Sequence, residues 1–393
     1  MKQKIYRKIY ILIMAILLIS TSFADKAVTS PEIKPGYFSE ILVQANRNDE
    51  VYYPNGYTSV YVDAKNTIYA TTPNSGLLIG YKNDQGKYHF EQYTTKNGLG
   101  NNSVDQVYVD KNDIVYAATD SGLSMGSKQS DGTYKFRNYS KGLESMSNHT
   151  NQIFMDKHGN IYLGTGGELG MTGVGAVIIG IKQPDGNYIF KSYDQKNGLD
   201  PYAAIVYGIY VDNSGTIYAA TDDGLSIGAK QFDDSYKFIQ PITENILTSI
   251  YVDTNGKIYA TDMNDALLVG AKQIDNKYKF IEYPDDALTS VSSLYVDRDG
   301  TIYAATQPGV SSKSVCSGDP DVGGGLAIGK KYPDGRYHFK VYTNGLKSIN
   351  VNGISVQGNN LVYAATQDGL YYGSFPELVL NLGKTVVFKS TGC

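Results

Sequence analysis

Tryptophan is absent from this 393-residue sequence, cysteine occurs twice and histidine four times. These shortages exclude several kinds of chemistry. Two cysteines, Cys316 and Cys393, cannot build a four-thiolate zinc site or the dense bridge framework of a small secreted domain. His89, His149, His158 and His338 are scattered, and none stands at a metal-ligand spacing or in a context that suggests a nucleophile pair. No Gly-x-Ser-x-Gly elbow is present to raise a serine nucleophile. The glycine-rich stretches Gly164 to Gly175 and Gly323 to Gly325 lack the Gly-Lys-Ser/Thr ending of a phosphate loop. No catalytic residue, resident metal or cofactor is therefore expected.

Positive charge is sparse as well. Lys and Arg never run five together, and the formal net charge is -4. With no helix-turn-helix or RNA-module signature, nucleic acid is not an expected partner. Long stretches of Leu, Ala, Glu and Lys at helical spacing are missing, so helices should be few and short. Apolar runs of the roughly 20 residues that span a bilayer are missing too.

The longest apolar run, Ile9 to Ile19, follows a basic start of Lys2, Lys4, Arg7 and Lys8 and precedes the small-x-small sequence Ser22-Phe23-Ala24. That order reads as an export signal over residues 1–24. Its removal takes away four cations and no acid, leaving a formal charge of -8 and no span in the mature chain. The expected location is periplasmic or extracellular. Residues 25–56 read as a lead-in that helps to close the fold, and 57–393 as the main domain.

What the sequence has in abundance is tyrosine, 35 residues, and glycine, 42, arranged in a repeat. Aligned on the Tyr of "IYAAT", seven copies fall at Tyr69, Tyr116, Tyr162, Tyr218, Tyr259, Tyr303 and Tyr363, 41 to 60 residues apart. Periods of this length belong to four-stranded propeller blades. A first strand ends in Asp and a glycine-bearing turn follows. A second strand carries the Tyr, and a third ends in Gly (Gly80, Gly126, Gly180, Gly228, Gly270, Gly329, Gly373). A fourth reads Tyr-x-Phe, as in Tyr88/Phe90 and Tyr236/Phe238. Such a sheet has two apolar faces, and ring stacking covers both. The large Tyr followed by small residues, as in Tyr218-Ala219-Ala220, suits one blade's ring packing over small residues of the next. The expected fold is all-β, a seven-bladed β-propeller of four-stranded antiparallel blades. The seventh copy lacks its Tyr-x-Phe strand, which either Thr385 to Lys389 or Gly36 to Glu40 could supply. The expectation leans toward a shared closure in which Tyr37 to Tyr53 adds at least one strand beside blade seven.

At Val62-Asp63, Thr67-Ile68-Tyr69, Thr72 and Gly76-Leu77, and at their later counterparts, the chain resembles the two-component-regulator propeller repeat. The "NGL" element of that family recurs at Asn97-Gly98-Leu99, Asn197-Gly198-Leu199 and Asn344-Gly345-Leu346, with Gly142-Leu143 as a shorter form. The resemblance covers Tyr57 to about Tyr372 and implies the propeller fold. It departs in writing Tyr for the family's Trp, and no kinase or DNA-binding region accompanies the repeats, so no signalling output is expected of this chain alone.

Turns such as Asp212-Asn213-Ser214-Gly215 read as Asx turns, since the acid that closes a calcium loop is replaced by strand residues. Loops from the second to the third strand, and from the fourth to the next blade, share one face. The two longest departures from the repeat, Gly164 to Val177 and Gln307 to Gly325, both lie there. Elaborated loops on a rigid scaffold are where binding concentrates. On that face, five residues before each first-strand Asp, stands a polar ring at the channel mouth: Thr58, Asp105, Asn151, Tyr207, Thr248, Ser292 and Asn352. It could hold a polar ligand or simply line a solvated channel. The expected function is non-enzymatic binding of a protein or glycan partner by a monomeric exported propeller. The alternative is a metal-dependent hydrolase like the propeller lactonases, which the "VDxxGtIY" phrase also resembles. That resemblance implies Glu, Asn and Asp ligands, for which Asp105, Asn151 and Asn352 could serve, although the ring has no Glu.

Cys316 in the blade-six insertion and Cys393 at the chain end are expected to pair, tethering the insertion beside blade seven. Closing that long loop stabilises the fold by about 2–4 kcal/mol. Thiol titration of unfolded, non-reduced protein should find no free thiol. Two thiols per chain would contradict the pairing.

Overall fold

The Asp that ends a first strand reverses the chain by capping its own turn. Asp212 Oδ1 accepts hydrogen bonds from the backbone N–H groups of Ser214 (2.8 Å) and Thr216 (2.9 Å). Asp63, Asp110, Asp156, Asp253 and Asp297 do the same in their repeats. The chain then runs back as the second strand, and further tight turns bring in the third and fourth. Blade four is typical, with strands Val206–Val211, Ile217–Thr221, Gly224–Lys230 and Tyr236–Thr243 paired in chain order.

The third-strand glycine and the fourth-strand phenylalanine turn out to be partners. Gly80 pairs with Phe90, Gly126 with Phe136, Gly180 with Phe190, Gly228 with Phe238, Gly270 with Phe280 and Gly329 with Phe339. A Cβ on Gly80 would lie 2.4 Å from the Phe90 ring, which lies across the glycine. Only a residue without a side chain admits it.

The computed structural model describes residues 34–43, 45–47, 50–52, 56–139, 150–166, 175–308 and 323–375. They form a seven-bladed propeller whose blades begin at Ser59, Val104, Thr150, Val206, Leu247, Ser293 and Val351. First strands of neighbouring blades face one another around the central channel, and fourth strands lie outermost. Helix is confined, among the described residues, to single 3-10 turns such as Thr95–Asn97, and no helix there is long and apolar enough to cross a membrane.

Blade seven takes its outermost strand from the other end of the chain. Phe38–Ile41 pairs antiparallel with Leu370–Ser374, placing Phe38 opposite Gly373. Phe38 thus fills the register that the Tyr-x-Phe residue fills elsewhere, buried and 4.7 Å from the Phe375 ring. The chain then crosses to blade one, where the hairpin Ala45–Arg47 and Glu50–Tyr52 joins the outer edge through a parallel bridge from Ala45 to Phe90. One short stretch therefore ties the last blade to the first. The export segment, the alternative closing strand at 385–389 and both cysteines lie outside the described residues.

Among the described residues the core is divided into seven packed clusters, and each straddles two neighbouring blades. The second-strand Tyr of one blade clusters with the residue that follows the corresponding Tyr of the next. Tyr69 lies with Ala117, Tyr162 with Ala219, Tyr218 with Ala260, Tyr259 with Ala304, Tyr303 with Ala364 and Tyr363 with Ala70. Blade three varies the pair, setting Leu163 beside Tyr116 and the small Gly164 after it.

The hydroxyls of these tyrosines are also placed. In the first four blades each donates back to the turn Asp, for instance Tyr218 Oη to Asp212 Oδ2 at 3.1 Å. Each also meets the fourth-strand Tyr of the following blade. Tyr116 Oη lies 3.2 Å from Tyr188 Oη, and the same pairing joins Tyr69 to Tyr134, Tyr162 to Tyr236 and Tyr218 to Tyr278. Tyrosine where the family writes tryptophan thus supplies an oxygen that links turn, blade and neighbouring blade.

Burial, aided by these hydrogen bonds, pushes the phenols upward, with Tyr259, held back by Lys257, reaching about 12. A folded pKa above the unfolded value of about 10 stabilises the fold fully below pH 10 and progressively less above it. Base titration should therefore show phenolate absorbance from the buried tyrosines arising together with loss of the strand signal, above about pH 10. Titration of all tyrosines near pH 10 with the fold intact would contradict this packing.

Candidate functional site at the channel mouth

Around the loop-face mouth, the first strands depart from regular pairing at the ring positions. The register shifts between Val104 and Gln106, Thr150 and Gln152, Val206 and Gly208, Leu247 and Ser249, and Val351 and Gly353. The residues skipped are Asp105, Asn151, Tyr207, Thr248 and Asn352, five of the seven ring residues. Thr58 and Ser292 immediately precede the first strands of blades one and six. A bulge leaves one residue outside the ladder and re-aims its side chain.

The ring side chains use part of their hydrogen-bonding capacity to clasp adjacent blades. Thr58 Oγ1 donates to the Val104 carbonyl at 2.5 Å, Asn151 Nδ2 to the Val206 carbonyl at 3.4 Å and Ser292 Oγ to the Val351 carbonyl at 3.0 Å. Asn352 Nδ2 joins the last blade to the first, donating to the Tyr57 carbonyl of blade one at 2.7 Å. Gln106 Oε1 does the matching work between blades two and three by accepting from Ile153 N at 2.6 Å. The inner edges of first strands carry unpaired backbone groups, and this ring satisfies several of them.

Six of the seven residues, Thr58, Asp105, Asn151, Tyr207, Ser292 and Asn352, line one cavity of about 580 Å³. Thr248 is not in its lining. Its hydroxyl lies 3.1 Å from Thr261 Oγ1 and points its bonding into its own blade. The residues following the ring positions, Ser59, Gln106, Gln152 and Ser293, also reach the cavity. Sequence reading missed them, although the doubled polar pairs Asp105-Gln106 and Asn151-Gln152 are the visible trace of two of the bulges.

Both insertions spring from this rim. Gly166 bridges to Ile205, which lines the cavity, and Gln307 lines it while donating to Asn352 Oδ1 at 2.9 Å. The middles of the insertions, 167–174 and 309–322, lie outside the described residues.

Apart from Pro73, Ile205 and Gly353 the lining is amide and hydroxyl, with Asp105 its single acid and neither Lys nor Arg present. Burial, reinforced by the Asp222 carboxylate, holds the Tyr207 phenol above its ordinary range, so it enters as a neutral donor. Among the described residues no group of three His, Cys, Asp or Glu is arranged to hold a metal. The Glu-Asn-Asp set of the lactonases is not assembled here, since no Glu lines the cavity and Asn352 Oδ1 is taken by Gln307. A second cavity of about 550 Å³ opens on the opposite face between blades three, four and five, beside Asp156, Asp212 and Asp253. The Oδ1 atoms of those three carboxylates already cap their own turns.

No family model matches the chain, and no curated protein matches it. Solved structures do. The extracellular domain of a protein described as a one-component system of B. thetaiotaomicron aligns with a TM-score of 0.60 at 15% identity, covering 87% of this chain and 40% of that one. The extracellular domain of a hybrid two-component system from the same organism gives 0.60 at 17% identity over 89% of this chain and 42% of its own length. The chain thus spans about two fifths of the length of those extracellular domains. Virginiamycin B lyase from Staphylococcus aureus gives 0.59 at 13% identity, covering 85% of this chain and 97% of the lyase. At these identities the likeness is one of fold. It agrees with the resemblance to two-component-regulator propellers carried by the repeats.

Proposed function

We propose that this chain is an exported, non-enzymatic binding propeller whose loop-face mouth takes an uncharged, hydroxyl-rich ligand: a glycan, free or carried by a protein. The observation that carries this reading is the lining of the mouth cavity, a bulged ring of amides and hydroxyls with Tyr207, one acid and no cation. Such a surface offers paired donors and acceptors to sugar hydroxyls and an aromatic body beside them. It offers little to a strongly charged ligand. The extracellular placement of the similar B. thetaiotaomicron domains and the signal-like N-terminus support an exported setting. The insertions rooted at the rim would add specificity, as loops on a rigid scaffold do.

A glycan panel presented to the full mature chain, followed by calorimetric titration of the best binder, tests the reading. Gln152→Ala and Tyr207→Ala should each weaken binding about tenfold or more, the scale of losing a buried hydrogen bond or ring contact. Asp131→Ser, on an opposite-face turn, should leave binding unchanged. Loss of binding in Asp131→Ser with retention in both mouth variants would move the site elsewhere. A large rise in melting temperature with calcium, abolished by Asp105→Ala, would instead support the metal-dependent hydrolase.

A further inference from the structure

The repeat provides its own control for reading the surface, because the same blade position can be compared several times. In the turn between third and fourth strands, the second residue is Asp84, Ser130, Pro184 and Pro333 in blades one, two, three and six. In blades four and five it is Phe232 and Ile274, both fully exposed at 112% and 105%. A second position repeats the pattern. The residue after the fourth-strand Phe is Glu91, Arg137, Lys191 and Lys340 in those four blades, but Ile239 and Ile281 in blades four and five, 45% and 53% exposed. Charged side chains on outer strands guard sheet edges against association. Two neighbouring blades have exchanged that guard for Ile on the outer strand, and they add an exposed apolar residue at the turn, where the other blades carry Asp, Ser or Pro. Scattered exposed apolar residues need no explanation, but matched replacement at two positions on adjacent blades is not scatter.

From this we propose that two copies of the chain associate side by side through the outer rim of blades four and five. A two-fold axis parallel to the channel would set blade four of each copy against blade five of the other. The interface would then be self-complementary, each contact occurring twice. The charges at the two turns fit that pairing. The blade-four turn is acidic, Phe232-Asp233-Asp234-Ser235, whereas the blade-five turn is Ile274-Asp275-Asn276-Lys277. Phe232 would meet Ile274 of the other copy, and Asp234 would face its Lys277. Asp234 is exposed, and its carboxylate meets Lys230 in a surface contact at 2.8 Å, which a stronger partner can replace. This assignment is independent of the mouth cavity, and it departs from the monomer expected of a closed ring.

Sedimentation velocity of the full mature chain, from about 1 to about 100 µM, should show a concentration-dependent shift to twice the single-chain mass. Phe232→Asp and Ile274→Asp should each weaken association at least tenfold while leaving the melting temperature unchanged, since neither side chain is buried. Asp234→Lys and Lys277→Asp should each weaken it, and the chain carrying both reversals should recover, because each two-fold contact again joins opposite charges. Single-chain mass at every concentration would overturn the proposal. So would a dimer indifferent to Phe232→Asp and Ile274→Asp, which would place the contact elsewhere, or a doubly reversed chain no better than the single variants.

Discussion

Each second-strand tyrosine of this propeller is enclosed jointly by its own blade and the next. Tyr162 is enclosed with Ala219 of blade four, Tyr218 with Ala260 of blade five, and so on to Tyr363 with Ala70, where the circle returns to blade one. Aromatic side chains of this size dominate core energetics, so each interface draws on two blades at once. The arrangement explains the composition. Small residues after the Tyr receive the ring behind them in six blades of seven, and in the first four the phenol oxygen also holds the turn Asp. A chain with this constraint must repeat its wording, since every blade is both donor of a ring and receiver of one.

Closure follows from the same constraint. Seven rings need seven receiving faces, and blade seven is complete only when Phe38 occupies the place opposite Gly373. The ends of the ring are therefore joined by side-chain packing and strand pairing together. At the mouth, the unpaired backbone of the inner strands demands polar partners, and Thr58, Asn151, Ser292 and Asn352 provide them. Their remaining capacity faces the cavity. One set of side chains thus both clasps the ring and forms the surface that a ligand would meet.

Much of this was legible in the residues. The period, the Asp-capped turns, the terminal Gly and the Tyr-x-Phe phrase are local features, and they specify blade and ring. The partnership of Gly80 with Phe90 was not legible, because it depends on a register set only when strands pair. The hydroxyl contacts from Tyr116 to Tyr188 cross a blade boundary and carry no local mark. Counting back five residues from the turn Asp found the mouth ring but not the bulges that aim it. Thr248 stands at such a bulge too, yet its hydroxyl bonds within its own blade, and the count did not reach Gln106 and Gln152, which line the cavity.

The interlocking of blades is tested most directly by calorimetry of Ala219→Leu. Ala219 is fully buried in the cluster that holds Tyr162, and extra methylenes there should destabilise the protein by about 1–3 kcal/mol. The exposed Ala229→Leu, on the third strand of the same blade, should be neutral. One cooperative transition at a lowered temperature for Ala219→Leu, beside an unchanged one for Ala229→Leu, is the predicted result. Equal melting temperatures for both variants and the parent, or separate melting of blade four, would contradict a ring held together by shared tyrosines.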